Sequence, residues 1–184
     1  SDLDRLYCDA IDSERRKRAQ QAMFVMCDGI AKLLAPIMCH TADEAYRNLH
    51  GVDQKDVETC VHLTGFPGPV SITAAPEWDT AREVLSDVMR NLESARSEKD
   101  IDNPLDAGLV VPDKDGVLAK FDPIDLADYC GVSRFTLKGD GEVEVMDLRD
   151  EPRCERSWRR DGTVKERSDG GMLSDRDAAA LGVR

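Results

Sequence analysis

Apolar side chains recur at helical spacing through residues 13–37, and this periodicity constrains the fold more than any other feature of the sequence. They fall three or four positions apart and therefore line one face of a helix. The stripe consists of Ala19, Met23, Met26, Ile30, Leu33, Leu34 and Ile37. Asp12 and Ser13 predict a cap ahead of the helix, and Pro36 predicts its end or a kink. An apolar face of this length needs a packing partner, so residues 1–50 are predicted to be part of a helical bundle.

A second helix and a boundary follow the first. The run Thr41-Ala42-Asp43-Glu44 has the pattern of a capping box, which predicts a helix from about Ala42 to His50 that Gly51 stops. The next 25 residues are rich in glycine and proline, with a short extended piece expected at 61–63. We place a boundary near residue 76, so that 1–76 form a helical segment with its linker.

Helical and strand patterns alternate over residues 77–148. We expect a helix capped by Asp79, a strand at 105–111 and a short helix from Asp122-Pro123 to Gly131. Two further strands, at 132–137 and 142–148, flank Gly139-Asp140-Gly141, which predicts a hairpin. The predicted fold class is therefore α+β: an incomplete helical bundle in 1–76, a small α+β subdomain in 77–148 and a polar tail in 149–184.

Charge is unevenly distributed along the chain. The net charge is −12 overall, yet residues 149–184 hold 9 Lys and Arg against 8 Asp and Glu. The rest of the chain is therefore a poor general partner for phosphate backbones. Two basic clusters stand out, one within 153–167 and one at Arg15-Arg16-Lys17-Arg18. On charge alone each cluster is equally consistent with a nucleic-acid contact or with a solvated surface.

Signatures of catalysis and of cofactor binding are absent from the sequence. The three histidines lack the spacing of a metal or catalytic pair, and no phosphate-binding or dinucleotide-binding glycine motif occurs. We therefore expect neither an autonomous enzyme nor a bound cofactor. No apolar run is long enough to cross a membrane, and the six scattered cysteines indicate reduced thiols in the cytoplasm.

The tail has the spacing of a zinc knuckle without its ligands. Paired-cysteine knuckles place two Cys-x-x-Cys pairs about 15–20 residues apart. Here Cys154-x-x-Ser157 is followed, after sixteen residues, by Ser174-x-x-Asp177. A serine hydroxyl stays protonated near neutral pH and is a poor zinc ligand, and one Cys with one Asp falls short of the four donors that zinc prefers. We therefore predict no metal site.

Six segments over most of the chain carry recognisable patterns, and in order they are DRLYCDAIDSERRKRAQ, LLAPIMCHTADEAY, VHLTGFP, LESARSEKDIDNPLDAGLVV, DLADYCGVSRFTL and CERSWRR. They resemble, in the same order, the C-terminal part of isoleucyl-tRNA synthetases, a class I anticodon-binding domain followed by a knuckle. The last is similar to the family's Cys-x-Arg-Cys-Trp-Arg, with Ser157 in place of the second cysteine. Two departures are the loss of three zinc positions and Asp102 where a glycine is usual.

This resemblance implies a module that recognises the anticodon stem and loop of isoleucine tRNA in protein biosynthesis and does no chemistry itself. The signatures of adenylation, His-x-Gly-His and Lys-Met-Ser-Lys-Ser, belong to an upstream catalytic domain of an ATP-dependent ligase and do not occur here. The resemblance implies that Arg156, Trp158 and Arg159 contact the anticodon, and the basic clusters add Arg160, Arg15 and Arg16 as candidate tRNA contacts. A Trp that only caps a small core is the alternative for Trp158.

Two further expectations concern partners. A second function remains open, in which a decayed synthetase relative uses its acidic surface to bind protein rather than tRNA. The resemblance also implies that helices preceding residue 2 cover part of the bundle in the family. A chain without them is expected either to form a homodimer through residues 1–50 or to leave this end loosely ordered. Binding of isoleucine tRNA is expected to be weak and steeply salt-dependent, because the basic residues of 153–167 meet few phosphates and the rest of the chain repels the backbone.

Overall fold

The chain folds as two units, a helical one and one that mixes helices with two small sheets. The computed structural model describes residues 6–70 and 76–184. One unit spans Glu14–Thr73, and the other consists of Ser1–Ser13 with Ala74–Arg184. The predicted α+β class is confirmed. The predicted limits of 1–76, 77–148 and 149–184 stay a prediction about how the chain is organised.

Two helices dominate the helical unit. Helix α1 spans Glu14–Leu34 and ends just ahead of Pro36, as its sequence pattern predicts. Helix α2 spans Cys39–His50 and ends at Gly51, whose φ of 65° lies in the left-handed region that favours glycine. The predicted capping box is wrong, because α2 begins at Cys39, ahead of the Thr41 that was expected to cap it.

Arg47 ties the loop after α2 to the helix. Its guanidinium donates to the carboxylate of Asp43 at 2.7 Å and to the backbone carbonyls of Asp53 and Asp56 at 2.8 and 2.7 Å. The other carboxylate oxygen of Asp43 accepts the backbone N–H of Val61 at 2.9 Å. Residues Val61–Leu63 form a 3-10 turn rather than the extended piece that was expected, because this contact and the packing of Val61 hold them against α2.

Few side chains form the core of the helical unit, and most of the apolar stripe of α1 lies outside it. The buried residues are Ala31, Ala35, Ala42, Tyr46 and Val61. Ile30 and Leu33 are more than half exposed, and Ile37 is 80% exposed. An apolar groove between α1 and α2 is lined by Cys27, Ile30, Leu34 and Met38 among others.

The mixed unit contains three helices and five short strands within the described residues. In chain order they are α3 (Pro76–Lys99), β1 (Ala107–Pro112), α4 (Pro123–Cys130), β2 (Arg134–Lys138), β3 (Glu144–Asp147), β4 (Lys165–Glu166), β5 (Met172–Leu173) and α5 (Asp175–Leu181). Helix α3 begins at Pro76, so the expectation that Asp79 caps it is wrong. Helix α4 has the predicted ends, with the side chain of Asp122 accepting the N–H of Ile124 and Gly131 following its last turn.

The larger sheet places β1 between β2 and β3. Strand β1 pairs in parallel with β2 and antiparallel with β3. The predicted hairpin between 132–137 and 142–148 is therefore wrong, although both strands exist. The cause is the apolar character of β1, whose Leu109 and Val111 are almost completely buried and occupy the centre of the sheet. The loop 139–143 carries the chain past the end of β1 instead of reversing it into a neighbour.

A single core joins α3 and α4 to this sheet. Its members include Ala81, Leu85, Val88, Leu92, Leu109, Leu118, Leu126, Val132, Phe135 and Val145. The tail has a separate small cluster of Cys154, Leu173 and Ala178, beside the two-stranded sheet of β4 and β5. In the part of the chain that the structure describes, no helix has the length and apolar character that crossing a membrane requires.

Candidate nucleic-acid interface

Trp158 presents an aromatic face to solvent from a turn of unusual backbone geometry. The side chain is 54% exposed, and its φ of 63° lies in the left-handed region that residues other than glycine rarely adopt. The N–H of Trp158 donates to the carbonyl of Cys154 at 2.9 Å, and the N–H of Cys154 donates to the carbonyl of Arg159 at 2.8 Å. These two hydrogen bonds close the turn that holds the ring.

Arg153 accompanies this ring. Its guanidinium carbon lies 5.0 Å from the centroid of the Trp158 ring, within the range of a cation–π interaction. Arg153 is itself exposed. Arg153 is the first residue of the basic cluster 153–167, but nothing in its own sequence pattern singles it out as a site residue. An exposed aromatic ring with an exposed guanidinium is the combination that stacks on bases and meets phosphates.

Arg159, a predicted contact, lies in the interior of the mixed unit. Its side chain is 5% exposed and donates to the carboxylate of Asp128, which is 2% exposed. A second N–H of the guanidinium approaches the carbonyl of Val132 at 3.5 Å. Asp128 lies on α4 and Val132 just after it, so Arg159 joins the turn around Trp158 to the main core.

Arg160 makes a second set of such contacts. Its side chain donates to the carboxylate of Asp106 at 2.7 Å and to the carbonyl of Glu151, and its backbone N–H donates to the hydroxyl of Ser133 at 2.8 Å. The hydroxyl of Ser133 donates in turn to the carbonyl of Leu105. Arg160 therefore fixes the tail to the segment around β1.

Arg156 is partly exposed and is bound on both sides. It donates to the carboxylate of Asp177 at 3.2 Å and to the backbone carbonyls of Tyr7 and Cys8, the first at 2.8 Å. Arg15 and Arg16, the remaining predicted contacts, lie partly exposed in the first turn of α1, in the helical unit. The structure thus gathers Arg156, Trp158, Arg159 and Arg160 in one segment of the mixed unit. Their contact with tRNA stays a prediction.

The four knuckle positions converge below the turn. The hydroxyls of Ser157 and Ser174 donate to one carboxylate oxygen of Asp177 at 2.6 and 2.8 Å, and the thiol of Cys154 donates to the same oxygen at 3.1 Å. Asp177 is completely buried. Burial by itself raises the pKa of Asp177, but the hydrogen bonds from Ser157 and Cys154 and the charge of Arg176 hold that pKa below its ordinary value.

Comparison with known proteins identifies the family. Residues 2–111 match the family model described as the anticodon-binding domain of tRNA ligase. The chain belongs to this family. It is 34% identical to an isoleucine–tRNA ligase of Bradyrhizobium diazoefficiens over 97% of its own length, and 33% identical to that of Geobacillus kaustophilus over 84%. A ligase of the same name from Brevibacillus brevis is 34% identical over 79% of the chain.

These relatives are much longer than the chain. It spans 19% of the Bradyrhizobium ligase, and the same share of the Geobacillus kaustophilus ligase. The first of these matches extends through the tail that the family model leaves out. The resemblance to the anticodon-binding part of isoleucyl-tRNA synthetases is confirmed. The alternative of a decayed relative that binds protein through its acidic surface is not favoured by these matches.

Proposed function

We propose that this anticodon-binding domain recognises the anticodon stem and loop of isoleucine tRNA, with the ring of Trp158 as the stacking surface for a base. The observation that carries the proposal is an exposed Trp158 held in a left-handed turn with the guanidinium of Arg153 over its ring. Single-stranded RNA loops present unstacked bases that bind to such rings, and each stack contributes about 1–3 kcal/mol.

Some arginines of this segment are placed to contact RNA, and others stabilise the fold. Arg153 is exposed and lies over the ring of Trp158. Arg156 is bonded to Asp177 and Tyr7 but stays partly exposed, so part of its guanidinium is accessible to RNA. Arg159 and Arg160 act mainly through the fold, because Arg159 pairs with buried Asp128 and Arg160 pairs with Asp106. Arg15 and Arg16 would add a second basic contact from the helical unit.

Affinity should be modest, because the charge of most of the chain opposes binding. Residues 1–148 carry 16 Lys and Arg against 29 Asp and Glu, and a phosphate backbone is repelled by such a surface. Positive charge is in local excess in the basic cluster 153–167 and at Arg15-Arg16-Lys17-Arg18, and these two short stretches meet few phosphates. Recognition therefore depends on one aromatic stack and a small number of ionic contacts.

The proposal is tested by titrating a labelled anticodon stem-loop of isoleucine tRNA with wild type and with Trp158→Ala. Loss of the stack should weaken binding by about 5- to 150-fold, which corresponds to about 1–3 kcal/mol. Phe66→Ala is the matched control, since Phe66 is an exposed aromatic residue of the other unit. Equal affinities for wild type and Trp158→Ala would show that Trp158 is not part of the site. Equal affinity for unrelated stem-loops would show that the domain does not recognise isoleucine tRNA specifically.

We further propose that this domain serves a full-length ligase and does no chemistry by itself. The relatives it matches are isoleucine–tRNA ligases about five times its length, and the adenylation signatures occur nowhere in its own sequence. The six cysteines are free thiols, which supports a cytoplasmic location. In a preparation of this chain alone, isoleucine-dependent exchange of pyrophosphate into ATP should stay at background.

Exposed apolar side chains of the helical unit support a proposal about a further partner. Exposed Ile30, Leu33 and Ile37 form a surface that is unfavourable in water. We propose that other parts of a full-length ligase cover it there, and that in the isolated chain a second copy does so and gives a homodimer through residues 1–50. Of that range, residues 1–5 lie outside the described part of the structure.

A further inference from the structure

The four positions at which a paired-cysteine knuckle holds zinc are brought together in this chain around a carboxylate. Ser157, Ser174 and Cys154 each donate a hydrogen bond to the same oxygen of Asp177, at 2.6, 2.8 and 3.1 Å. Ser174 also accepts the backbone N–H of Asp177 at 3.2 Å, and its own N–H approaches the sulfur of Cys154 at 3.5 Å. All four side chains are buried.

This donor set does not fit zinc. A zinc ion lies about 2.3 Å from sulfur and about 2.0–2.2 Å from a carboxylate oxygen, with its ligands arranged around it. Here the hydroxyls and the thiol point at one oxygen over hydrogen-bond distances, so the centre of the cluster is an atom of Asp177. Of the four knuckle positions, Cys154 alone carries a thiol, and among residues 6–70 and 76–184 no group of three His, Cys, Asp or Glu side chains lies close enough to hold a metal ion.

We infer that the carboxylate of Asp177 replaces the metal as the centre of the knuckle and thereby positions Trp158. The charge of this buried carboxylate is balanced by Arg156 at 3.2 Å from one oxygen and by Arg176 at 3.7 Å from the other. Hydrogen bonds to a charged acceptor are about twice as strong as neutral ones. Three such bonds to one oxygen therefore fix the donor side chains around Asp177.

The connection from this centre to Trp158 is short. Ser157 directly precedes Trp158, and Cys154 accepts the Trp158 N–H through its backbone carbonyl. Asp177 therefore holds both ends of the segment that forces Trp158 to a φ of 63°. Arg156, in the same segment, donates to Asp177 and also to the backbone carbonyls of Tyr7 and Cys8, so it connects the carboxylate to residues 7 and 8. Asp177 is a positioning residue, and its effect on tRNA rests on the proposed function.

The test combines Asp177→Asn with a probe of the ring that needs no tRNA. In a Trp78→Phe background Trp158 is the only tryptophan, so its emission and its quenching by acrylamide report the turn alone. We expect Asp177→Asn to shift the emission and to increase quenching, while Asp150→Asn, an exposed carboxylate of the same tail, leaves both unchanged. Unchanged emission and quenching in Asp177→Asn would overturn the inference.

Binding of the stem-loop then separates this inference from the proposed function. If Trp158→Ala and Asp177→Asn both lose about 5- to 150-fold in affinity, both ideas are supported. If neither loses affinity but the emission of Trp158 changes in Asp177→Asn, the proposed function fails and the positioning role stands. If Trp158→Ala loses affinity and Asp177→Asn retains full affinity with unchanged emission, the positioning role fails.

A gain of metal binding gives an independent test. The variant Ser157→Cys, Ser174→Cys and Asp177→Cys, together with Cys154, restores four thiols at the converging positions. We expect it to bind one zinc per chain and to recover the wild-type emission of Trp158 only when zinc is present. Wild type should keep its emission and its unfolding midpoint in a chelator. Failure of the variant to take zinc would show that the four positions do not converge, and stoichiometric zinc in purified wild type would overturn the metal-free centre.

Discussion

Arg159 and Asp128 form an ion pair inside the mixed unit, with side chains that are 5% and 2% exposed. The residue before Arg159 is Trp158, whose ring is exposed, so the chain passes from the surface to the interior between two neighbours. The pair joins the tail to α4, so the position of the Trp158 turn depends on the packing of the main core.

Replacing Arg159 by alanine should strongly destabilise the mixed unit. Removing one member of a buried ion pair typically costs about 3–5 kcal/mol, and Arg159 pairs with the buried carboxylate of Asp128. Urea unfolding measures this loss. The matched control is Arg149→Ala, since Arg149 pairs with Asp147 at the surface, where solvent screens the charges and such pairs contribute little to stability. Equal unfolding midpoints for Arg159→Ala and Arg149→Ala would contradict the structural role of Arg159.

Trp158→Gly and Trp158→Ala should differ in stability but agree in binding. Both lose the ring, so both should bind the stem-loop about 5- to 150-fold more weakly than wild type. At a φ of 63° glycine is unstrained, whereas alanine incurs about 1–2 kcal/mol. Thermal unfolding should therefore place Trp158→Gly above Trp158→Ala. Equal stability of the two variants would mean that the turn relaxes when the ring is removed.

The sequence indicated the general architecture and the location of the tail, because these depend on local patterns. The ends of α4 follow from Asp122, Pro123 and Gly131, all of which act within one turn of the helix. The pairing of β1 with both β2 and β3 could not be found in this way, because it depends on which strand is most deeply buried. The glycines at 139 and 141 indicated a reversal of the chain but not its partner.

The same distinction applies to the site. The spacing of Cys154, Ser157, Ser174 and Asp177 is visible in the sequence, and so is the loss of zinc ligands. The role of Asp177 as the common acceptor of the other three side chains could not be predicted, because Ser157 and Cys154 precede it by 20 and 23 positions in the sequence and meet it only in the folded chain. The burial of Arg159 was missed for a similar reason, since Asp128 precedes it by 31 residues and arginine is ordinarily a surface residue.

The stability of the wild-type protein should fall between neutral pH and pH 3 more steeply than that of Asp177→Asn. The pKa of Asp177 is lowered in the fold, because bonds and charges that favour the carboxylate outweigh the effect of burial. Such a group stabilises the fold at pH above its unfolded pKa, about 4, and this contribution is lost as pH falls toward the folded pKa. Asparagine has no proton to gain, so its variant lacks this component.

Urea midpoints at several pH values check this prediction. The other carboxylates, including Asp147 with its pKa of about 2 beside Arg149, are common to both proteins and cancel in the comparison. Asp150→Asn is again the control and should follow the wild-type curve, since Asp150 is exposed. Parallel curves for wild type and Asp177→Asn would show that the carboxylate of Asp177 gains nothing from its neighbours.

The affinity for the stem-loop should fall as salt concentration rises, and the size of this effect should correspond to few phosphate contacts. Arg153 and Lys165 are the exposed cations nearest in sequence to Trp158, and Arg156 is partly exposed. Two or three phosphate contacts predict a loss of about 10- to 40-fold in affinity between 50 and 200 mM salt. The slope of log affinity against log salt measures the number of contacts. Arg153→Ala should reduce the slope by about one contact, and an unchanged slope would remove Arg153 from the interface.

The isolated chain should self-associate through the exposed apolar side chains of the helical unit. Ile30, Leu33 and Ile37 are at least half exposed, and burying an aliphatic side chain of this size contributes about 1.5–3 kcal/mol. A two-fold dimer is the simplest closed arrangement that covers such a face. Light scattering at micromolar concentration should give twice the mass of the chain for wild type and the monomer mass for Ile30→Asp. Gln21→Asp, exposed on the opposite face of α1, should stay dimeric, because the helical period places residue 21 half a turn away from residue 30. A wild-type monomer whose residues 14–34 resist hydrogen exchange as well as α3 does would show that α1 is stable with this face uncovered.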